Sequence, residues 1–174
     1  MKGLIFLSLS LLACNSIAET TMITPEIVLQ NIHRDGAEIY LRELAKQNAT
    51  ATSTSSWESI VENISSGDVT WLKIVPLIAG NTDAGFAEDI ATALAQAIPK
   101  NARGVMDVIN DKIPPVSISN VCSMPLYNET IPEKNEYFVK AVQALYKDGT
   151  PQAKKCLWQL INTVGRAGPF KMVD

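Results

Sequence analysis

Apolar positions in this chain recur at spacings of three and four over most of its length, the mark of helices that bury one face. Thr24-Pro25-Glu26 reads as a helix start, because threonine caps, proline suits the first turn and glutamate favours the positive end. That helix is expected to reach about Gln47, with a bend at Asp35-Gly36. NATATSTSS, 48–56, is Ser/Thr-rich and reads as a loop. Ser55 and Glu58 form an S-x-x-E capping box, and Trp57, Ile60, Val61 and Ile64 follow on one helical face. Gly67 ends that helix. Asp68 caps the next, VTWLKIVPLIAG, whose interior Pro76 predicts a kinked or shortened element. Thr82 or Asp83 then caps DAGFAEDIATALAQAI, in which Phe86, Ile90, Leu94 and Ala97 alternate with Ala87, Ala91 and Ile98. Its many alanines permit close helix approach on a wide buried face. Pro99 is expected to stop it, and Asn101 to cap a short helix holding Val105, Met106 and Ile109.

The pattern then breaks. Residues 111–134 hold Pro114, Pro115, Pro125 and Pro132 and show no helical period. A loop of that length inside a compact domain is uncommon unless it is functional or tied down. Val116, Ile118 and Val121 suggest a short extended stretch. Two helices finish the chain. One runs from about Glu133 to Lys147 with Phe138, Ala141, Val142 and Leu145 inward, and Asp148-Gly149 stops it. The last opens with Thr150-Pro151 and is expected to bury Ala153, Leu157, Leu160, Ile161 and Val164. Short links between 56–66 and 69–79, 83–98 and 102–110, and 133–147 and 151–166 favour antiparallel neighbours. The expected fold is therefore all-α, a compact bundle of about six or seven helices arranged as hairpins, in the manner of helical repeats.

The first residues add a compartment. Lys2 followed by the apolar run Leu4–Leu12 reads as a secretory leader, since the run is about half of what a membrane-spanning helix needs. Ser16-Ile17-Ala18 offers a cleavage site, which makes 1–18 the leader and 19–174 the mature domain. The competing reading takes Leu11-Leu12-Ala13-Cys14 as a lipobox, with Cys14 lipidated and the protein held to a membrane only through it. No later segment has the length or apolarity of a transmembrane span. Loss of Lys2 leaves 14 Lys and Arg against 18 Asp and Glu, a balance that argues against a nucleic-acid partner. Of three cysteines, Cys122 and Cys156 remain in either route, and in an oxidising compartment they are expected to pair. The loop so closed is about 35 residues, worth about 3–4 kcal/mol on a chain-entropy argument. Such a bond fastens the irregular segment to the last helix. Three Asn-x-Ser/Thr sequons, at Asn48, Asn63 and Asn128, are treated as chance in a chain rich in these residues.

The block GDVTWLKIVPLIAGNTDAGFAEDIATALAQAIPKN, with Val121-Cys122 after it and Asp35-Gly36-Ala37 before it, resembles small exported proteins of proteobacteria. These share Gly-Asp, a Trp-Leu three residues on, Thr-Asp-Ala-Gly, an Ala-rich helix and then Pro and Asn. The resemblance implies a periplasmic all-helical fold and no settled activity, and it moves no residue into a catalytic role.

Candidate chemistry is sparse. His33 is the only histidine, so one chain offers no His-based metal cage, and no Gly-x-Ser-x-Gly turn, Cys-x-x-Cys or phosphate-cradling Gly-rich loop is present. No cofactor is expected. Glu58 with Glu62, and Glu88 with Asp89, are carboxylate pairs of the kind a glycan hydrolase uses, though such spacings are common on solvated faces. Trp57, Trp71 and Trp158 sit at helical spacing among aliphatic residues and are expected in the core. Lys147, Lys154, Lys155, Arg166 and Lys171 give the C-terminal end a basic bias. The expectation is a non-catalytic binding module of the cell envelope, exported to the periplasm, with an immunity or inhibitor protein as its concrete form and a protein partner. Pro114, Pro115, Met124, Leu126 and Tyr127 are its candidate contact residues. The alternatives are a carboxylate-using envelope glycan hydrolase and a structural outer-membrane lipoprotein anchored by Cys14.

Overall fold

The computed structural model describes residues 23–167, so the leader over 1–18, Cys14 and Lys171 lie outside the described residues. Helix α1 (Pro25–Asp35) starts where its cap requires, with Thr24 Oγ1 accepting from Ile27 N at 3.4 Å. Gly36, at φ +82°, does more than bend the chain. It separates α1 from α2 (Ala37–Thr50) completely, a conformation that a side-chain-bearing residue rarely adopts. Helix α3 (Ser56–Ser65) carries both halves of its capping box: Ser55 Oγ accepts from Glu58 N at 3.1 Å, and Glu58 Oε2 accepts from Ser55 N at 2.8 Å.

The Pro76 segment is shortened rather than bent. It forms two single-turn helices, α4 (Val69–Leu72) under an Asp68 cap and α5 (Val75–Ile78) with proline in its first turn, then a 3₁₀ turn over Ala79–Asn81. Asp83 begins the long α6 (Ala84–Val108), its Oδ1 accepting from Phe86 N at 2.9 Å. Pro99 does not stop α6. Proline has a helical φ of its own, but it removes one bond to the turn behind it and crowds that turn's carbonyl, so the helix continues only briefly. The break falls two residues later, at Asn101, with φ −153° and ψ 69°. Asn101 Oδ1 then caps the following turn by accepting from Gly104 N at 2.9 Å, while Nδ2 donates to Gly67 O at 2.8 Å.

The segment expected to be extended is helical instead: a 3₁₀ turn at Pro114–Val116 and the single turn α7 (Ile118–Val121). Local side chains account for the difference. Ser117 Oγ accepts from Asn120 N, and Asp111 Oδ1 accepts from Ile118 N at 3.0 Å, so the polar groups that flank the valines favour turns over a ladder. Helix α8 (Ile131–Asp148) begins earlier than its apolar period suggests, because Thr130 and Glu133 form a second capping box with Pro132 in the first turn. Gly149, at φ +65°, ends α8, and Thr150 opens α9 (Pro151–Ala167) by accepting from Ala153 N at 3.2 Å.

The protein is thus all-α, with no strand among the described residues. Helix α6 is the central element. It packs chiefly against α8 on one side and α3 on the other, while α8 and α9 form a hairpin across a two-residue link. The α3 helix rests on α6 and α2 more than on the short α4. One continuous apolar cluster runs through these elements, from Val28 to Leu160. Within it Trp57 stacks on Phe86, with ring centroids 3.7 Å apart and planes 8° from parallel, and Trp57 Nε1 donates to Asp89 Oδ2 at 2.7 Å. Asp148, its side chain only 5% exposed, pairs with Arg103 at 2.6 Å and ties the end of α8 to α6.

Candidate functional site

Cys122 and Cys156 form a disulfide with Cα atoms 5.3 Å apart, joining the residue after α7 to the second turn of α9. Both cysteines are fully buried. The bond fixes which face of α9 turns inward. Ala153, Cys156 and Leu160 lie against the core, at the three- and four-residue spacing of a single stripe.

That choice reverses one expectation. Trp57 and Trp71 are buried as anticipated, but Trp158 is 66% exposed and Ile161 48% exposed. The reason is rotational. Each residue turns a helix by about 100°, so Trp158, two positions from both Cys156 and Leu160, points away from the stripe they define. Leu157 and Val164, also expected inward, are half-buried at its edges. The outer face of α9 therefore displays Trp158 between Lys154 and Lys155 on one turn and Ile161 and Asn162 on the next, its neighbours at three and four residues. A notch of about 350 Å³ opens there, lined by Lys154, Leu157, Trp158, Ile161 and Asn162.

The five contact residues expected between 111 and 134 divide. Pro114, Pro115 and Tyr127 come together around a depression of about 260 Å³ beside Glu88 of α6, with Tyr127 77% exposed and Pro115 buried. Leu126 is buried and faces a different cleft, and Met124 is half-buried against the core with φ +57°. Only Pro114 and Tyr127 of the five are open to a partner.

The cleft that Leu126 borders lies between α6 and α8 and measures about 560 Å³. Glu129, Glu133, Glu136, Lys100 and Lys140 surround it, but their charges are engaged. Glu129 accepts from Gln96 Nε2 at 3.1 Å, Glu133 completes the Thr130 capping box, Glu136 pairs with Lys140, and Lys100 donates to Ser65 O at 2.7 Å. Hydrogen bonding from the Thr130 hydroxyl, and then from its backbone, holds the Glu133 carboxyl below its ordinary value. Tyr137 lines the same cleft. Its hydroxyl is buried with no hydrogen-bond partner among the described residues, and burial pushes its phenol far above the usual range.

The carboxylate pairs read as candidate acids and bases are placed by helix geometry. Glu58 is committed to its capping box and Asp89 to Trp57, while Glu62 and Glu88 are exposed on α3 and α6. Among the described residues no group of three or more His, Cys, Asp or Glu side chains converges to hold a metal ion, and no helix is long and apolar enough to cross a membrane. Comparison with known protein families, characterised proteins and solved structures finds no match to the chain.

Proposed function

We propose that this protein is an exported, non-catalytic binding module of the bacterial envelope, which presents a face to a protein partner in the way a periplasmic immunity or inhibitor protein does. The observation that carries this reading is the outward Trp158. A tryptophan is the side chain most often found at the energetic centre of an interface, and here one stands two-thirds exposed beside Ile161 on a helix anchored by a disulfide. Rigid support matters, since a contact residue already held in place loses little entropy on binding. The docking face is accordingly α9, with Tyr127 and Pro114 lying outside it.

The test is a photo-crosslinking amino acid placed at position 158 and, as a control, at the exposed His33. The partner is expected to be captured from position 158 alone, and again when it is purified and mixed with the protein. Capture from neither position in periplasm, or equal capture from both, removes the reading. Incubation with purified sacculi is expected to release no glycan. Release that Glu58→Gln, Glu62→Gln or Glu88→Gln abolishes would establish the hydrolase in its place. The intact mass of the secreted chain settles export, with a mature start at Glu19 expected, against a lipid-bearing Cys14.

A further inference from the structure

We infer that the partner of α9 is acidic: a protein segment that sets a bulky aliphatic or aromatic side chain into the Trp158 notch and surrounds it with carboxylates. The inference rests on the proposed binding role and deepens it. Three features of α9 support it. Its residues include no Asp or Glu, although the whole chain carries a net charge of −3. Lys154 and Lys155 flank the exposed Trp158 and have no ion-pair partner among the described residues, so both ammonium groups are open to a partner's carboxylates. Lys154 also closes the first turn of α9, where the helix dipole is positive and a cation is disfavoured. A carboxylate-bearing partner relieves that cost at the moment it covers the apolar notch.

The same features select against other occupants. A second copy that pairs through its own α9 brings lysines and no carboxylate, so that symmetric pairing in either direction gathers like charge around the contact. An anionic membrane is less suited. The helix carries three cations, too few to hold a protein at such a surface without a deeper anchor.

Binding of three synthetic helical peptides tests this. They share a Leu/Phe face and differ in a rim of Glu, Gln or Lys, and the readout is the emission of Trp158, since Trp57 and Trp71 are buried and constant. The Glu-rimmed peptide is expected to bind at least about ten-fold more tightly than the Gln-rimmed one, with the Lys-rimmed one weakest. Lys154→Glu with Lys155→Glu should reverse that order, and Trp158→Ala, which lacks the reporter and is followed instead by the anisotropy of a dye-labelled Glu-rimmed peptide, should abolish binding. Both variants change exposed positions, so retained helicity and a Tm that does not fall show that the fold survives. Equal binding of the Glu and Gln peptides overturns the charge rule while leaving an apolar docking face. Binding of no peptide, or a blue shift only with phosphatidylglycerol vesicles, overturns the inference. Loss of crosslinking at position 158 in periplasm marks failure of the underlying role.

Discussion

Asn101 does two jobs with one amide. It starts the second part of α6 by accepting from Gly104 N, and it holds the α3–α4 turn by donating to Gly67 O. Asn101→Ala is expected to destabilise the protein by about 1–3 kcal/mol in urea unfolding, because a half-buried carbonyl and a helix N-terminus lose their partners together. Asn101→Asp keeps the acceptor and loses the donor, and so should fall between alanine and the native residue. Tyr137 presents the opposite case. Its hydroxyl has no partner to lose, so Tyr137→Phe is expected to leave stability unchanged or raise it by about 1 kcal/mol on the same measurement. The capping role of Asn101 was readable from sequence, as were those of Thr24, Ser55 and Asp68, because each acts on a neighbour three residues away. Its bond to Gly67 was not, since nothing local brings two segments 34 residues apart into contact.

At the level of elements, the starts of α4 and α8 depend on carboxylates. Hydrogen bonds, from Thr70 first for Asp68 and from Thr130 first for Glu133, lower both pKa values below their ordinary 3.8 and 4.5. A carboxyl whose folded pKa is depressed stabilises the fold above its unfolded pKa, and that contribution is lost as pH falls through the folded value. Tm is therefore expected to be flat near neutrality and to decline as pH drops through and below the ordinary carboxylate range. Asp68→Asn with Glu133→Gln should flatten this acid limb while preserving the caps, since both amides still accept. Periodicity located α3, α6 and α8 well but misjudged α9. That helix carries two apolar stripes, and the one that turns inward is fixed by Cys156 and by what α8 leaves uncovered. Cys156 and Trp158 are two residues apart and belong on opposite faces, so an inward disulfide already implied an outward tryptophan. The irregular segment was legible as proline-rich and not as helical, because its single turns are set by Ser117 and Asp111 rather than by any repeat.

For the molecule as a whole, the disulfide closes a separation of 34 residues and couples the α7 region to the hairpin of α8 and α9. Its removal by Cys122→Ser with Cys156→Ser should cost about 3–4 kcal/mol and lower Tm by on the order of 10 °C in a thermal scan, with reductant producing the same shift in the native chain. The other end of the protein is held differently. Helix α1 fully buries one residue, Val28, packs Leu29 and Ile32 partly against the core, and rests mainly on α2 across Gly36. Stability is apportioned unevenly in such an arrangement, and a unit with little buried surface opens at a small fraction of the global free energy. Under load applied from the amino end, this first helix would peel away alone and reversibly, as a mechanical slack that spares the braced body carrying Trp158.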